Sequence, residues 1–192
     1  MKKIVKRGLL GAGTIVVLIV LFVGWYMIKA KSELKKMTPV ATAQITDNVF
    51  AVKDAFLNVF LIKDSDNYIA VDAGNDIDAI SEELKKLNIN PDNIIAILLT
   101  HTDGDHVASI KLFKNARVYL SKQEEQLLNG AKSRFLFFGN KIDANEYALI
   151  DDQQVFTIGN VKIKGYLTEG HTPGSMCYLV NDTYLFTGDI LF

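Results

Sequence analysis

The 192-residue chain carries 21 Lys and Arg against 22 Asp and Glu, a formal net charge of −1 at pH 7. That balance offers no clustered basic face, so no nucleic-acid partner is expected. The length suits one domain with an appendage, and a single cysteine excludes an intramolecular disulfide.

The amino terminus opens with a basic tail over residues 1–7, including Lys2, Lys3, Lys6 and Arg7. Residues 8–28 carry no charge and are rich in Val, Ile and Leu. At about 1.5 Å per residue they span the roughly 30 Å hydrocarbon core of a bilayer. Trp25 and Tyr26 fall near one end, where amphipathic rings favour the headgroup layer. A cleaved signal peptide has a shorter apolar region and then a small-x-small site, which Lys29-Ala30-Lys31-Ser32 does not supply. The segment therefore reads as an uncleaved, single-pass transmembrane helix in a cell membrane. The basic tail favours the inside, with the folded part outside the cytoplasm. Residues 29–42 form a polar, Lys-rich linker.

Residues 43–192 read as one domain. Strands are predicted at Val49–Val52, Asn58–Ile62 and Tyr68–Val71, with Ser65-Asp66-Asn67 as a turn between the last two. Ile77, Ile80, Leu84 and Leu87 fall at helical spacing behind Asn75 or Asp76 as a cap. The unbroken apolar run Ile94–Leu99 predicts a strand covered on both faces. A short helix is expected from about Asp105, then a strand at Val118–Leu120 and a helix over 122–128. The stretch 130–147 gives no clear pattern; its Phe135-Leu136-Phe137-Phe138 cluster reads as packing or as a pocket lining. Strands near 154–158, 161–167, 175–180 and 183–187 complete the chain, with Asn181-Asp182 as a turn. Mixed strands and helices indicate α/β layers. Cys177, inside the last-but-one strand, reads as a buried structural thiol.

All three histidines sit in two short motifs, Thr100-His101-Thr102-Asp103-Gly104-Asp105-His106 and Gly170-His171-Thr172-Pro173-Gly174-Ser175. A third motif, Thr187-Gly188-Asp189, ends the last strand. The first begins at a strand's carboxyl end, where ligand sites gather in open α/β sheets. A bending backbone can aim alternate side chains into one volume there, with Gly104 relieving crowding. Imidazole nitrogens and carboxylate oxygens are the donors that hold zinc, iron or manganese. The competing reading of Asp103 or Asp105 is that of a plain helix cap.

These motifs resemble the metallo-β-lactamase-fold superfamily over about residues 43–192. The family pattern has the form His-x-His-x-Asp-His after an apolar strand, then a Gly-His-Thr-x-Gly-Ser turn, then a strand-ending Asp. Val71-Asp72-Ala73-Gly74 is similar to its early Asp-x-Gly motif, which makes Asp72 either a partner that orients a ligand or a plain turn residue. The resemblance implies an αββα sandwich and a metal-dependent hydrolase. A metal-activated hydroxide would attack an acyl or phosphoryl centre of a small-molecule substrate. By carry-over, His101, Asp103 and His171 would hold metal 1. Asp105 and His106 would hold metal 2, Asp189 would bridge, and Asp105 would orient the nucleophile.

Two departures stand out. Asp103 replaces the second histidine of the pattern, giving a two-histidine, one-carboxylate set that also suits mononuclear iron. The family pattern also continues past Asp189 to a further metal-2 histidine, so the chain reads as a shortened version of the fold. Three readings stay open here: an anchored metallo-hydrolase with one or two zinc ions, an iron oxidoreductase on the same fold, and a non-catalytic tethered remnant.

Overall fold

The computed structural model describes residues 2–34, 36–134, 139–144 and 146–191; for residues 2–12 and Leu34 it describes the backbone alone. The chain divides into two compact units, Met1–Thr38 and Pro39–Phe192.

The first unit is one helix, α1 (Lys2–Leu34). It runs past both ends of the uncharged segment because Lys, Glu and Leu are good helix formers. Within it, Gly13–Glu33 is long and apolar enough to cross a membrane, with a mean hydropathy of 2.0. Ile15 to Val23 and Trp25 to Ile28 are all exposed, so the helix is apolar around its circumference.

The second unit stacks two sheets. The larger follows chain order: β1 (Ala43–Gln44), β2 (Val49–Asp54), β3 (Leu57–Asp64), β4 (Asn67–Val71), β5 (Ile94–Leu98), β6 (Arg117–Ser121) and β7 (Tyr147–Ile150). Pairing is antiparallel from β1 to β4 and parallel from β4 to β7. The smaller sheet is antiparallel in the order β11 (Tyr184–Phe186), β10 (Met176–Val180), β9 (Val161–Leu167), β8 (Val155–Ile158).

Strand alternation divides the core. Ile69, Val71, Ala96 and Leu98 point one way and pack with Ile163, Met176, Tyr178 and Val180 of the smaller sheet. Ala70 and Ile97 point the other way and pack with Ile80 and Leu84, joined by Ile94 across a register shift in the β4–β5 pairing. Those last two lie on α2 (Ile77–Lys86), which Asp76 caps by accepting from the backbone N–H groups of Asp78 and Ala79. The uninterrupted apolar run of β5 is thus buried on both faces, as its composition predicts. Helices α3 (Gly104–Val107) and α4 (Lys122–Leu128) follow β5 and β6. Asn181 and Asp182 both take positive φ, the left-handed geometry a tight hairpin turn requires.

Three details differ from expectation. Strands β1 and β7 were not anticipated; both are short and lie at the edges of the larger sheet. Gly104 does not relieve crowding, since a Cβ there would meet open space. The Phe135–Phe138 cluster lies outside the described residues.

Candidate metal centre

The site sits where the parallel strands end. β4 and β5 are neighbours, so the residues following them emerge side by side: the Asp72 N–H donates to Leu98 O at 3.0 Å. His101 follows β5, while Asp105 and His106 belong to α3. His171 lies in the loop between β9 and β10, and Asp189 follows β11. Three separate loops therefore deliver the six candidates to one place.

Their donor atoms form two groups. One nitrogen or oxygen each from His101, Asp103 and His171 lies within 4.8 Å of the others, and the same holds for His101, His106 and Asp189. The His101 ring centroid is 4.7 Å from that of His171 and 4.1 Å from that of His106. Asp189 faces both groups, with Oδ1 3.3 Å from His106 Nε2 and Oδ2 3.6 Å from His171 Nε2. That is the disposition a bridging carboxylate needs. Asp105 joins neither group; its Oδ2 lies 4.0 Å from His106 Nε2.

Hydrogen bonds fix the rings. Asp72 accepts from the Thr100 N–H at 2.8 Å and from its hydroxyl at 2.9 Å, and meets His106 Nδ1 at 2.9 Å. Thr100 Oγ1 has one proton, which the carboxylate takes, so its lone pair accepts from His101 Nδ1–H at 3.0 Å. His101 Nε2 is then the bare nitrogen. It is buried and has no hydrogen-bond partner. Burial, followed by the neighbouring His106, holds the His101 pKa below its usual value, so the ring stays neutral and able to ligate. Asp72 proves to be both a partner and a turn residue: it orients His106 and takes a positive φ of 61°.

A divalent ion suits this arrangement. The orphaned His101 Nε2 is a buried donor atom in need of a partner. Asp103 Oδ2 lies 3.7 Å from His101 Nε2 and 3.2 Å from His171 Nε2. These separations bracket the edge of about 3.4 Å expected of a tetrahedral site with bonds of about 2.05 Å.

Asp103 occupies the N-cap position of α3 yet makes no capping bond. Its carboxylate is taken instead by Arg134 Nη2 at 2.8 Å and by Asn140 Nδ2 at 3.1 Å. Burial would raise the Asp103 pKa, but the Arg134 hydrogen bonds and charge bring it below the ordinary carboxylate range. Asp189 is likewise lowered, burial being outweighed by its bond to His106. His106 is pushed up to about 11: burial opposes its charge, but Asp72 and then Asp189 outweigh it.

Glu124 was missed in the sequence. Wholly buried, it accepts from the Thr102 N–H and hydroxyl, both at 2.7 Å, and from the Thr172 hydroxyl at 2.6 Å. It thereby ties the loop of His101 and Asp103 to the loop of His171. Gly174 lets this happen, because a Cβ there would lie 2.1 Å from the Glu124 backbone nitrogen. The available signal was Ser121-Lys122-Gln123-Glu124, which reads as an ordinary capping box. Ser121 Oγ does cap the Glu124 N–H at 2.9 Å, but the Glu124 carboxylate turns inward. Arg134 was missed as well; nothing in its sequence neighbourhood marks it.

Residues 53–192 match the model of the metallo-β-lactamase superfamily. The chain is 34% identical over 127 residues to the probable polyketide biosynthesis zinc-dependent hydrolase BaeB of Bacillus velezensis, covering 65% of this chain and 49% of that protein. It is 33% identical over 139 residues to the corresponding PksB of Bacillus subtilis, covering 69% and 54%. The chain thus spans about half the length of these curated relatives. A solved Cronobacter sakazakii metallo-β-lactamase with a HARLDQ motif superposes with a TM-score of 0.62 at 26% identity, covering 78% of this chain and 61% of that one.

Two outcomes test the network. Glu124→Ala strands two threonine hydroxyls and an N–H, and is expected to cost about 2–4 kcal/mol of unfolding free energy in urea, with Glu124→Gln milder. His106 has a raised folded pKa, so in the metal-free protein its stabilisation is complete below 6.5 and is lost as pH climbs through about 11. Urea titrations of metal-stripped protein between pH 7 and 11 should show a decline that shrinks in Asp72→Ala.

Proposed function

The chain belongs to the metallo-β-lactamase superfamily, and on that premise we propose that it is a membrane-anchored metal-dependent hydrolase acting on an acyl or phosphoryl centre of a small molecule. The observation that carries this reading is the buried, unpartnered His101 Nε2 facing the Asp103 and His171 donors. His101, Asp103 and His171 would hold one ion; His106 and Asp189 would hold a second, with the Asp105 carboxylate, 4.0 Å from His106 Nε2, drawn in beside them. When bound, the metal supplies Lewis acidity and lowers the pKa of water toward about 7.

The residues divide the remaining work. Asp72 and Thr100 keep both first-motif rings turned so that each Nε2 faces inward. Asp105, whose side chain is about one-third exposed, can accept a proton at Oδ2 from the attacking water and aim it. Glu124 fixes the spacing of the two loops, so that the donor atoms need little rearrangement when substrate arrives. The zinc-dependent relatives support zinc as the metal. The two-histidine, one-carboxylate set favours one alternative, a mononuclear iron oxidoreductase on the same fold.

Metal analysis of the purified full chain separates these readings. Zinc is expected, and His101→Ala and His171→Ala should each lose zinc together with hydrolysis of model esters, thioesters or phosphodiesters. Unchanged metal content in His101→Ala would overturn the assignment, and a single iron would favour the oxidoreductase.

Helix α1 is proposed as the anchor. Its apolar side chains are exposed around the whole circumference, which water disfavours at roughly 25 cal/mol per Å2. The full chain is expected to stay with membranes through an alkaline carbonate wash, and a variant lacking residues 1–38 to remain soluble. Release of the full chain by carbonate would exclude a spanning helix.

A further inference from the structure

Arg134 reaches into the first donor group, and its role there rests on the proposal that this group holds a metal ion. Its Nε donates to Asp103 Oδ1 at 3.0 Å, and its Nη1 donates to the His171 carbonyl. Its Nη2 lies 2.8 Å from Asp103 Oδ2 and 3.2 Å from His171 Nε2. The last two atoms are two of the three donors that a first ion would use.

The overlap is a chemical conflict. An imidazole nitrogen carries either one lone pair or one proton. An unprotonated His171 Nε2 accepts from Arg134, and a protonated one donates to Asp103 Oδ2 at 3.2 Å. A metal needs that nitrogen bare. The Asp103 carboxylate has more capacity: Oδ1 serves Arg134 Nε and Asn140 Nδ2, while Oδ2 serves Nη2 and shares Nε at 3.1 Å. The conflict is sharpest at the Nη2 end of the guanidinium, which meets both Asp103 Oδ2 and His171 Nε2.

We propose that Arg134 is an internal cation seated on the first donor group of the metal-free chain, and that an entering metal ion must displace its Nη2 from Asp103 Oδ2 and His171 Nε2. Arg134 is then a positioning residue that weakens the first site rather than building it. Two effects act in that direction: occupation of shared donor atoms, and repulsion between a guanidinium and a divalent cation. The opposing effect, orientation of Asp103, survives the loss of Arg134 because Asn140 still holds Oδ1. Asn140 itself is braced by donating to Thr102 Oγ1 at 2.9 Å.

Zinc affinity measured on the metal-stripped full chain, in detergent and against a fluorescent chelator, tests this directly. Arg134→Met is expected to tighten, by about tenfold or more, the zinc ion that His171→Ala removes. Arg134→Lys keeps the charge but loses the fork, and should tighten it less, by about threefold. Lys132→Met, on the neighbouring surface, should leave it unchanged, and circular dichroism melting of each stripped variant confirms folding. Affinity in both Arg134 variants equal to or weaker than wild type would overturn the proposal while leaving the site intact. Zinc binding indifferent to His171→Ala would instead remove the site and this inference with it.

Discussion

The Asp72 carboxylate sets the direction of both rings in the first motif, and the rest of the site is built on that setting. It lies just past β4, whose parallel neighbour β5 delivers Thr100 alongside, so its bonds to the Thr100 N–H and hydroxyl follow from strand pairing. Thr100 passes the constraint to His101 Nδ1, while the second carboxylate oxygen takes His106 Nδ1. The left-handed backbone at Asp72 costs on the order of 1–3 kcal/mol, and these charge-assisted bonds offset it. The third motif is fitted to the same point. A Cβ on Gly188 would lie 2.5 Å from Thr100 Oγ1, so only glycine lets the loop carrying Asp189 close onto the first motif.

A second bracket works from the opposite side. Glu124 hangs from the amino end of α4 and gathers Thr102 and Thr172, each one residue from a candidate ligand. Both brackets are buried carboxylates whose acceptor capacity is met by groups on different loops, the condition under which a buried charge is tolerated. The candidate ligands differ in burial: His101 and His106 are buried, whereas Asp103, His171 and Asp189 are partly exposed.

How much of this was legible depends on where the information lies along the chain. β5, the first motif and His106 are contiguous, so apolar run and ligand spacing sit within one short window. Asp72 was legible as a strand-end acid, but its two possible roles could not be separated without knowing that β4 and β5 are parallel neighbours. Glu124 was hidden by its own plausibility, because a Ser-x-x-Glu box at a helix start already has a local explanation. Arg134 lies between α4 and β7 in a stretch with no period, and its partners are 31 and 37 residues away. Gly104 shows the converse error: a glycine inside a motif invites a steric account, but this one stands in open space.

The replacement of a histidine by Asp103 is better understood as a replacement by a pair. An imidazole ligand is neutral, while a lone carboxylate adds a negative charge that would make the ion less electrophilic. Arg134 draws on that carboxylate through Nε, shared between Oδ1 at 3.0 Å and Oδ2 at 3.1 Å, and its charge offsets that of Asp103. Nε touches both oxygens, so it is its contact with Oδ1 that can persist after the Nη2 contact is given up. Were an ion held there, part of the electrophilicity lost by placing an anion in the donor set would be recovered through the guanidinium at Oδ1. On the proposed reading, the residue that impedes loading of a first ion would also temper the charge that Asp103 brings to it.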